Sequence, residues 1–398
     1  MKLLTVEEAR SRMLAGVQPL EAEAVALGSA LGRMLAADII ASRDQPPFAA
    51  SAMDGWAVRA ADGPGNLRII GESAAGRGFA GGLGPGEAVR IFTGAAVPAG
   101  ADAVVIQEDA RREGDRVVIP AVADPRHVRP AGQDFEAGNP LLTAGTRLDP
   151  WRLSLAAAAG LAFVRVSLRP RVAVLSTGEE VIDPGGAPGP FQIFDSGTTA
   201  LGALIEAWGG EPLPLRSVGD DAEATARAVE DVECDLIVTL GGASVGDHDL
   251  VKPAMAQLGL VLAVENVAVR PGKPTWFGVL RDGRKILGLP GNPASAMACA
   301  QLFLRPLLCA LQGSDPTPRL VAARTTAALA ANGSREHWMR ARLIPGADGV
   351  LMAEALGDQD SSLVTVFASA DALLRRAPAA PVAPAGETVE VLPLGRLV

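Results

Sequence analysis

Tyrosine is absent from the 398 residues, and aromatic residues of all kinds amount to 4%. A single-strand nucleic-acid binder built on stacking platforms is therefore not expected. Cysteine is scarce: Cys234, Cys299 and Cys309 form an odd set with no C-x-x-C pair. Neither a disulfide framework nor a zinc site follows, and buried thiols in a reducing cytosol are the expected state. Positive charge is also short, with 36 Lys and Arg against 45 Asp and Glu and a net charge of −9. A duplex binder carries a basic footprint, so no nucleic-acid partner is expected. The N-terminus meets Glu7 and Glu8 too early for the apolar stretch of a secretory signal. The longest uncharged run, between Lys285 and Arg305, is broken by Pro290, Gly291, Asn292 and Pro293, which argues against a membrane span. A cytoplasmic protein is the expectation.

Glycine and proline are plentiful. The 45 glycines and 30 prolines exceed ordinary usage, yet they stop short of the roughly 25–30% that marks low-complexity disorder. With 48% hydrophobic residues, the chain can fill two to four domains of about 100–200 residues each. Thr5-x-x-Glu8 has capping-box spacing, with Gly16 as a stop, and predicts a first helix. Residues 22–27 read as extended and 31–36 as helical. From about Asp44 to Asn139, short β-type runs (67–70, 88–92, 103–107, 116–119) alternate with Gly- and Pro-rich turns and read as a β-rich insert. Residues 151–161 are helical again and are expected to pack back on the first helices.

From Arg171 the pattern becomes alternating strand and helix. Runs at 172–175, 213–215, 236–240, 261–269, 275–280 and 285–289 predict strands. Helices are predicted from Asp195-Ser196 to Trp208, after Asp220-x-x-Glu223, and over 293–311. That alternation implies a three-layer α/β domain with a largely parallel sheet. Beyond Gly313 short strands return (320–325, 338–343, 389–392), predicting a small all-β C-terminal domain.

Ligands of parallel α/β domains bind beyond the C-terminal ends of the strands, and four loops fall there. In Gly241-Gly242-Ala243-Ser244-Val245-Gly246-Asp247-His248-Asp249, glycines can turn backbone N–H groups toward an anion. Asp247 stands where a P-loop has its Lys, so a Walker site does not fit, whereas carboxylates beside a phosphate suit a bridging Mg²⁺. A tight capped turn is the alternative. The same segment holds Gly242-x-Ser244-x-Gly246, a nucleophile-elbow pattern, but only His337 lies downstream and no His-Gly-Gly segment lies upstream. Arg270-Pro271-Gly272-Lys273-Pro274 holds two cations in a stiff turn suited to an oxyanion, or is a solvated surface turn. Pro290-Gly291-Asn292-Pro293-Ala294-Ser295 starts a helix, with Asn292 as cap and Pro293 at the first position. Ser176-Thr177-Gly178-Glu179-Glu180 ends a buried strand with paired acids. In the insert, Ser51–Arg59 places Asp54 in an apolar-flanked turn, and Thr93-Gly94-Ala95 ends a strand.

Together these segments resemble the molybdopterin molybdenumtransferases of the MoeA and gephyrin E-domain type. The resembling stretches are SAMDGWAVR (51–59), RIFTGAAVPAGADAVVIQED (90–109), GQDF (132–135), STGEEV (176–181), 219–221, GGASVGDHD (241–249), RPGKP (270–274) and LPGNPASA (289–296). They run in the family's order over nearly the whole chain. The resemblance implies a multidomain fold: a discontinuous N-terminal domain (1–43 with 139–168), a β-rich insert (44–138), an α/β molybdopterin-binding domain (169–315) and a C-terminal β-barrel (316–398). It also implies a homodimer that inserts molybdate into adenylylated molybdopterin with Mg²⁺-dependent release of AMP. Its implied partners are a molybdopterin adenylyltransferase and apo-molybdoenzymes or their chaperones.

Within that resemblance Arg270 and Lys273 are assigned to oxyanion binding, helped by Ser295, with Arg340 and Ser361 reaching in from the fourth domain. Gly241, Gly242, Ser244, Gly246, Pro290, Gly291, Asn292 and Pro293 would line the pterin phosphate. Glu180, Asp220 and Asp249 would hold Mg²⁺. Asp54, Thr93 and Asp134 would act from the other subunit, the two acids handling protons. Four positions depart from the usual pattern: Trp56 for Tyr, Arg270 for the first Lys of KPGK, Gly197 for Asn, and Gln133 for Glu. None removes a required carboxylate. A non-catalytic scaffold of the same fold and a serine hydrolase using Ser244 are the competing readings.

Overall fold

The computed structural model describes residues 3–121, 125–178, 180–215, 221–241 and 250–395. Its centre is one six-stranded sheet: β1 (Arg171–Ser176), β2 (Glu211–Leu215), β3 (Leu236–Leu240), β4 (Val261–Val264), β5 (Trp276–Val279) and β6 (Lys285–Leu289), in the spatial order β2-β1-β3-β6-β5-β4. The first four of these are mutually parallel, and β5 runs antiparallel to both β6 and β4. Every residue of β3 is buried, as a strand covered on both faces requires. Val172 and Val174 face a core shared with Leu201, Ile205, Phe303 and Leu307. Ala173 and Leu175 face the opposite core with Val229, Met255 and Trp276. That alternation builds the predicted three layers. Ser176 pairs with Leu240, and Leu240 with Leu289, so the loops after β1, β3 and β6 open on one edge.

Helix starts follow local chemistry. Asp195, one residue before the N-cap Ser196, accepts from Thr198 N at 2.8 Å. Asp221 caps Ala222–Glu230 by accepting from Glu223 N and Ala224 N. The spacing had pointed to Asp220, which lies outside the described residues. The long segment Pro293–Leu311 is α-helical to Cys299, π-helical over Ala300–Leu304 and α-helical again from Arg305. Pro306 lacks an N–H, and its ring crowds the carbonyl of Leu302, so a widened turn just before it is the expected accommodation. The segment is apolar and long enough to span a membrane, but 83% of its apolar window is buried, which makes it a core helix here.

At the N-terminus Thr5 and Glu8 form the predicted capping box. The helix Val6–Leu14 does not pack on the 151–161 helix as expected. Val6, Ala9 and Met13 enter the α/β core instead, and Arg12 donates to Ala263 O. The helix Pro150–Ala158 has its own core with Leu35, Ile39, Leu148 and Val166. Strand Ala22–Ala26 pairs antiparallel with Phe163–Ser167. Residues 31–36 are not helical: Leu35 N donates to Thr146 O, and Ser167 N to Met34 O. Pairing with two distant segments displaces a weak local helical pattern.

The insert forms a six-stranded sheet, running Ala103–Ile106, Gly55–Val58, Glu87–Ile91, Gly65–Ser73, Arg116–Ile119, Arg111–Glu113. At the C-terminus Glu336–Pro345, Leu351–Ala355, Val321–Thr325, Thr388–Pro393 and Ala372–Arg376 follow one another, and the last pairs back with the first to close a five-stranded barrel. The short strand Val269–Arg270 joins it in parallel, with Arg270 opposite His337. A loop of the α/β domain is thereby stitched to the barrel wall.

Candidate functional site

Two cavities of about 740 and 570 Å³ lie along the C-terminal edge of the central sheet and share Gly241, Gly291 and Asn292. They form one cleft with two chemical halves. Arg270, Lys273 and Arg335 line one half; Glu180, Asp195 and Thr177 line the other. The three strand-end loops meet closely at the centre. Gly241 has φ +85°, and a Cβ there would stand 3.0 Å from Thr177 Oγ1. A larger cavity of about 920 Å³ on the insert, between Val104 and His127, carries none of the predicted site residues.

The cationic half is fixed from behind. The Arg270–Pro271 peptide is cis, and Gly272 follows with φ +114°. Its Cα hydrogen faces Cys299: a Cβ at Gly272 would lie 2.1 Å from Cys299 Sγ. Thr275 Oγ1 donates to Gly272 O at 2.7 Å. Ser295 is almost wholly buried yet lines this half. Asn292 does not cap the helix with its side chain as predicted. Its Nδ2 donates to Ser361 Oγ at 2.8 Å, and Ala294 N donates to Ser361 O. The barrel thus takes over the capping and closes the floor of the cleft.

Ser361 lines the cleft, with Gln359 and Asp360 beside it. Arg340 sits behind that wall, with none of its surface exposed. Its Nη2 donates to Asp360 O at 2.8 Å, while Nε and Nη1 have no partner among the described residues. Burial lowers its pKa, against the pull of Asp358 and Asp360. His337, opposite Arg270, is pushed down to about 4 by burial first and then by Arg270, Arg340 and Arg335. It stays neutral in a cationic wall. Arg335, Gln359 and Asp360 are site residues that spacing did not reveal. Their signal is the ladder between Val269–Arg270 and Glu336–His337, which no local pattern encodes.

In the insert, Asp54 Oδ1 accepts from Thr93 N at 2.7 Å and from Thr93 Oγ1 at 2.8 Å. These bonds hold the Asp54 carboxyl below its ordinary range. Asp134 is exposed, and its N–H donates to Gln45 O. None of Asp54, Thr93 and Asp134 lines the cleft of the same chain. Trp56 is buried, and the Arg90 guanidinium lies 5.3 Å from its ring centroid while Nη1 donates to Gly55 O. A stacked cation occupies the indole where a phenol would have offered a hydroxyl. At Gly197 a Cβ would stand 3.0 Å from Leu240 Cδ1.

Glu180 is exposed on the acidic half. The other predicted residues Asp220, Gly242, Ser244, Gly246 and Asp249 lie outside the described residues. Among the described residues no three Asp, Glu, His or Cys side chains gather into a metal cluster.

Three family models cover most of the chain: the MoeA N-terminal region (domain I and II) over residues 4–160, a probable molybdopterin binding domain over 173–310, and the MoeA C-terminal region (domain IV) over 322–394. A molybdopterin molybdenumtransferase of Haemophilus influenzae is 33% identical over the whole of both chains. Molybdopterin molybdenumtransferase 2 of Mycobacterium tuberculosis is 38% identical over 88% of this chain and 89% of its own. The solved structure of a molybdopterin biosynthesis MoeA protein from Pyrococcus horikoshii superposes with a TM-score of 0.84 at 32% identity, over 98% of this chain and 99% of that one. With the three-layer domain, the closed barrel and the cleft between them in the same order, the chain belongs to the MoeA family of molybdopterin molybdenumtransferases.

Proposed function

We propose that this chain inserts molybdate into adenylylated molybdopterin, with Mg²⁺-dependent release of AMP. The observation that carries this reading is the two-sided cleft: Arg270, Lys273 and Arg335 on one side, Glu180 on the other, joined at the glycine-lined ends of parallel strands. A tetrahedral dianion and a diphosphate both need local cations within a chain of net charge −9. Arg270 and Lys273 bind the oxyanion and orient it, with Ser295 and Ser361 as short hydroxyl partners. Arg340 adds charge from behind the wall.

Mg²⁺ takes few protein carboxylates and completes its shell with water and phosphate oxygens. An exposed Glu180 on the acidic half fits that donor set, and Glu180, Asp220 and Asp249 would hold the ion. When bound, it neutralises the diphosphate and polarises the adenylyl linkage. Asp54, kept ionised by Thr93, takes up and passes on protons during ligand exchange, together with Asp134. The family resemblance implies that both act across a homodimer, which agrees with neither of them lining the described part of the cleft of its own chain. A cytoplasmic adenylyltransferase supplies the substrate, and apo-molybdoenzymes or their chaperones receive the product.

The direct test is incubation with adenylylated molybdopterin, Mg²⁺ and molybdate. AMP should appear and an apo-molybdoenzyme should become active; no AMP under any divalent metal sinks the reading. Mixing Asp54→Ala with Asp249→Ala subunits should restore part of the activity through one intact composite site. Stable heterodimers without activity would remove the shared-site arrangement.

A further inference from the structure

A separate cleft of about 370 Å³ lies where the N-terminal domain, the α/β domain and the barrel meet. Its volume falls within the ~300–1,000 Å³ typical of small-molecule sites. Four arginines line it, Arg147, Arg152, Arg305 and Arg319, against one acid, Asp315. In a chain with more acidic than basic residues, that is a strong local reversal of sign. Arg152 is paired with Asp149 at 2.8 Å. The side chains of Arg305 and Arg319 have no hydrogen bond or ion pair among the described residues. Arg147 uses only Nη2, on Ala207 O, and a guanidinium has five N–H donors. Asp315 accepts from Thr317 N at 2.9 Å, and its charge also acts on Arg319, without a contact as close as an ion pair.

The floor supplies a second, independent sign of a ligand. Gln301 is only 4% exposed and lines this cleft, and its Oε1 is buried with no partner among the described residues. An unpartnered buried amide oxygen is costly to a fold, and the amide that carries it lines this cleft. Gln301 belongs to the π-helical turn Ala300–Leu304, a distortion that recurs at functional sites. Trp208 supplies an apolar side wall.

We propose that this cleft binds a phosphate monoester of mononucleotide size. Arg305 and Arg319, with Arg147, hold the phosphate, a geometry that planar guanidinium forks match in pairs. A polar group of the same molecule hydrogen-bonds to the Gln301 side-chain amide, and a ring packs on Trp208. The ligand touches all three domains, so binding fixes their arrangement. The inference is independent of the molybdate reading, because it uses none of the residues at the strand-end cleft.

Isothermal titration of the full chain with a nucleoside monophosphate, the parent nucleoside and inorganic phosphate tests this, without Mg²⁺ or molybdopterin. Three variants are compared: Arg305→Ala/Arg319→Ala, Gln301→Leu and Arg270→Ala/Lys273→Ala. The monophosphate should bind, phosphate should compete, and the nucleoside should bind at least tenfold more weakly. Arg305→Ala/Arg319→Ala should lose at least tenfold in affinity with little change in melting temperature, since both side chains are exposed. Gln301→Leu should weaken the monophosphate but not inorganic phosphate. Arg270→Ala/Lys273→Ala should keep this class of site. The proposal is overturned if nothing binds, if binding survives the Arg305/Arg319 change, or if it disappears with Arg270 and Lys273 alone.

Discussion

Replacing Arg340 by Met should make the folded chain more stable and the oxyanion site worse. The guanidinium is wholly buried and satisfies one acceptor, Asp360 O, while Nε and Nη1 find none among the described residues. Each unmet buried donor costs about 1–3 kcal/mol, and the bond lost to Asp360 O is worth about 1.5–3 kcal/mol. Asp360 O keeps Leu363 N as a second donor at 3.5 Å. A Met of similar length then leaves a net gain of about 1–3 kcal/mol, as other buried charges replaced by apolar side chains have given. Sulfate, a tetrahedral dianion like molybdate, should reverse the order. At a hundred times its Kd it stabilises the wild-type chain by about 2.7 kcal/mol and the variant by much less. Urea unfolding with and without sulfate, followed by tryptophan fluorescence, measures both effects; Trp338 lies on the same strand. A variant weaker than wild type by more than about 1 kcal/mol without sulfate, or equal stabilisation of both by sulfate, refutes the account.

Gly272→Ala should cost about 2–6 kcal/mol, from backbone strain at φ +114° plus overlap with Cys299 Sγ. Adding Cys299→Ala should recover the overlap part only, so strictly additive unfolding free energies would contradict the packing read here. His337, with a pKa of about 4 against an ordinary 6.5, is neutral in the fold, while the unfolded chain binds a proton below pH 6.5. Its contribution to stability should therefore be full above pH 6.5 and fall by about 3 kcal/mol toward pH 4. His337→Gln should flatten that slope in a pH series of urea midpoints, and an unchanged slope would reject the assignment. Thr93→Val removes the hydroxyl bond to Asp54 Oδ1, so the Asp54 carboxyl should titrate at higher pH. The acid limb of the pH–rate profile should move upward, and a limb that stays in place would show that Asp54 does not set it.

Much of the central domain was legible because its strands are continuous apolar runs ended by glycine or proline. Leu236–Leu240, Lys285–Leu289 and, in the insert, Arg116–Ile119 occupy the residues their patterns indicated. Leu351–Ala355 and Ala372–Arg376 were not seen. Their sequences, LMAEA and ALLRR, are made mostly of good helix formers, and only closure of the barrel makes them strands. The helix cap at Asp221 was misplaced by one residue because neighbouring aspartates satisfy nearly the same spacing. At the site, Arg270 and Lys273 stood out as charge within a rigid turn. Arg335 and Gln359 did not, because their place depends on a strand pairing between residues 269–270 and 336–337. Resemblance named Ser361, and the hydrogen bond from Asn292 shows what its hydroxyl touches.

The first helix binds partners that do not yet exist when it leaves the ribosome. Arg12 of the helix reaches the carbonyl of Ala263, and Leu20 N, six residues beyond its end, that of Leu311. At roughly 5–20 residues per second, synthesis needs on the order of 15–60 s to supply them. The insert, whose strands lie between Gly55 and Ile119, builds its six-stranded sheet without any of those later residues. Until those are made, Val6, Ala9 and Met13 lack the core they enter in the folded chain. Arg305–Leu311 supplies Leu307, Leu308 and Leu311 to that core, and the barrel adds Trp338, Leu373 and Leu392, so the N-terminal stripe of Val6, Ala9 and Met13 is fully covered only once the last domain is made.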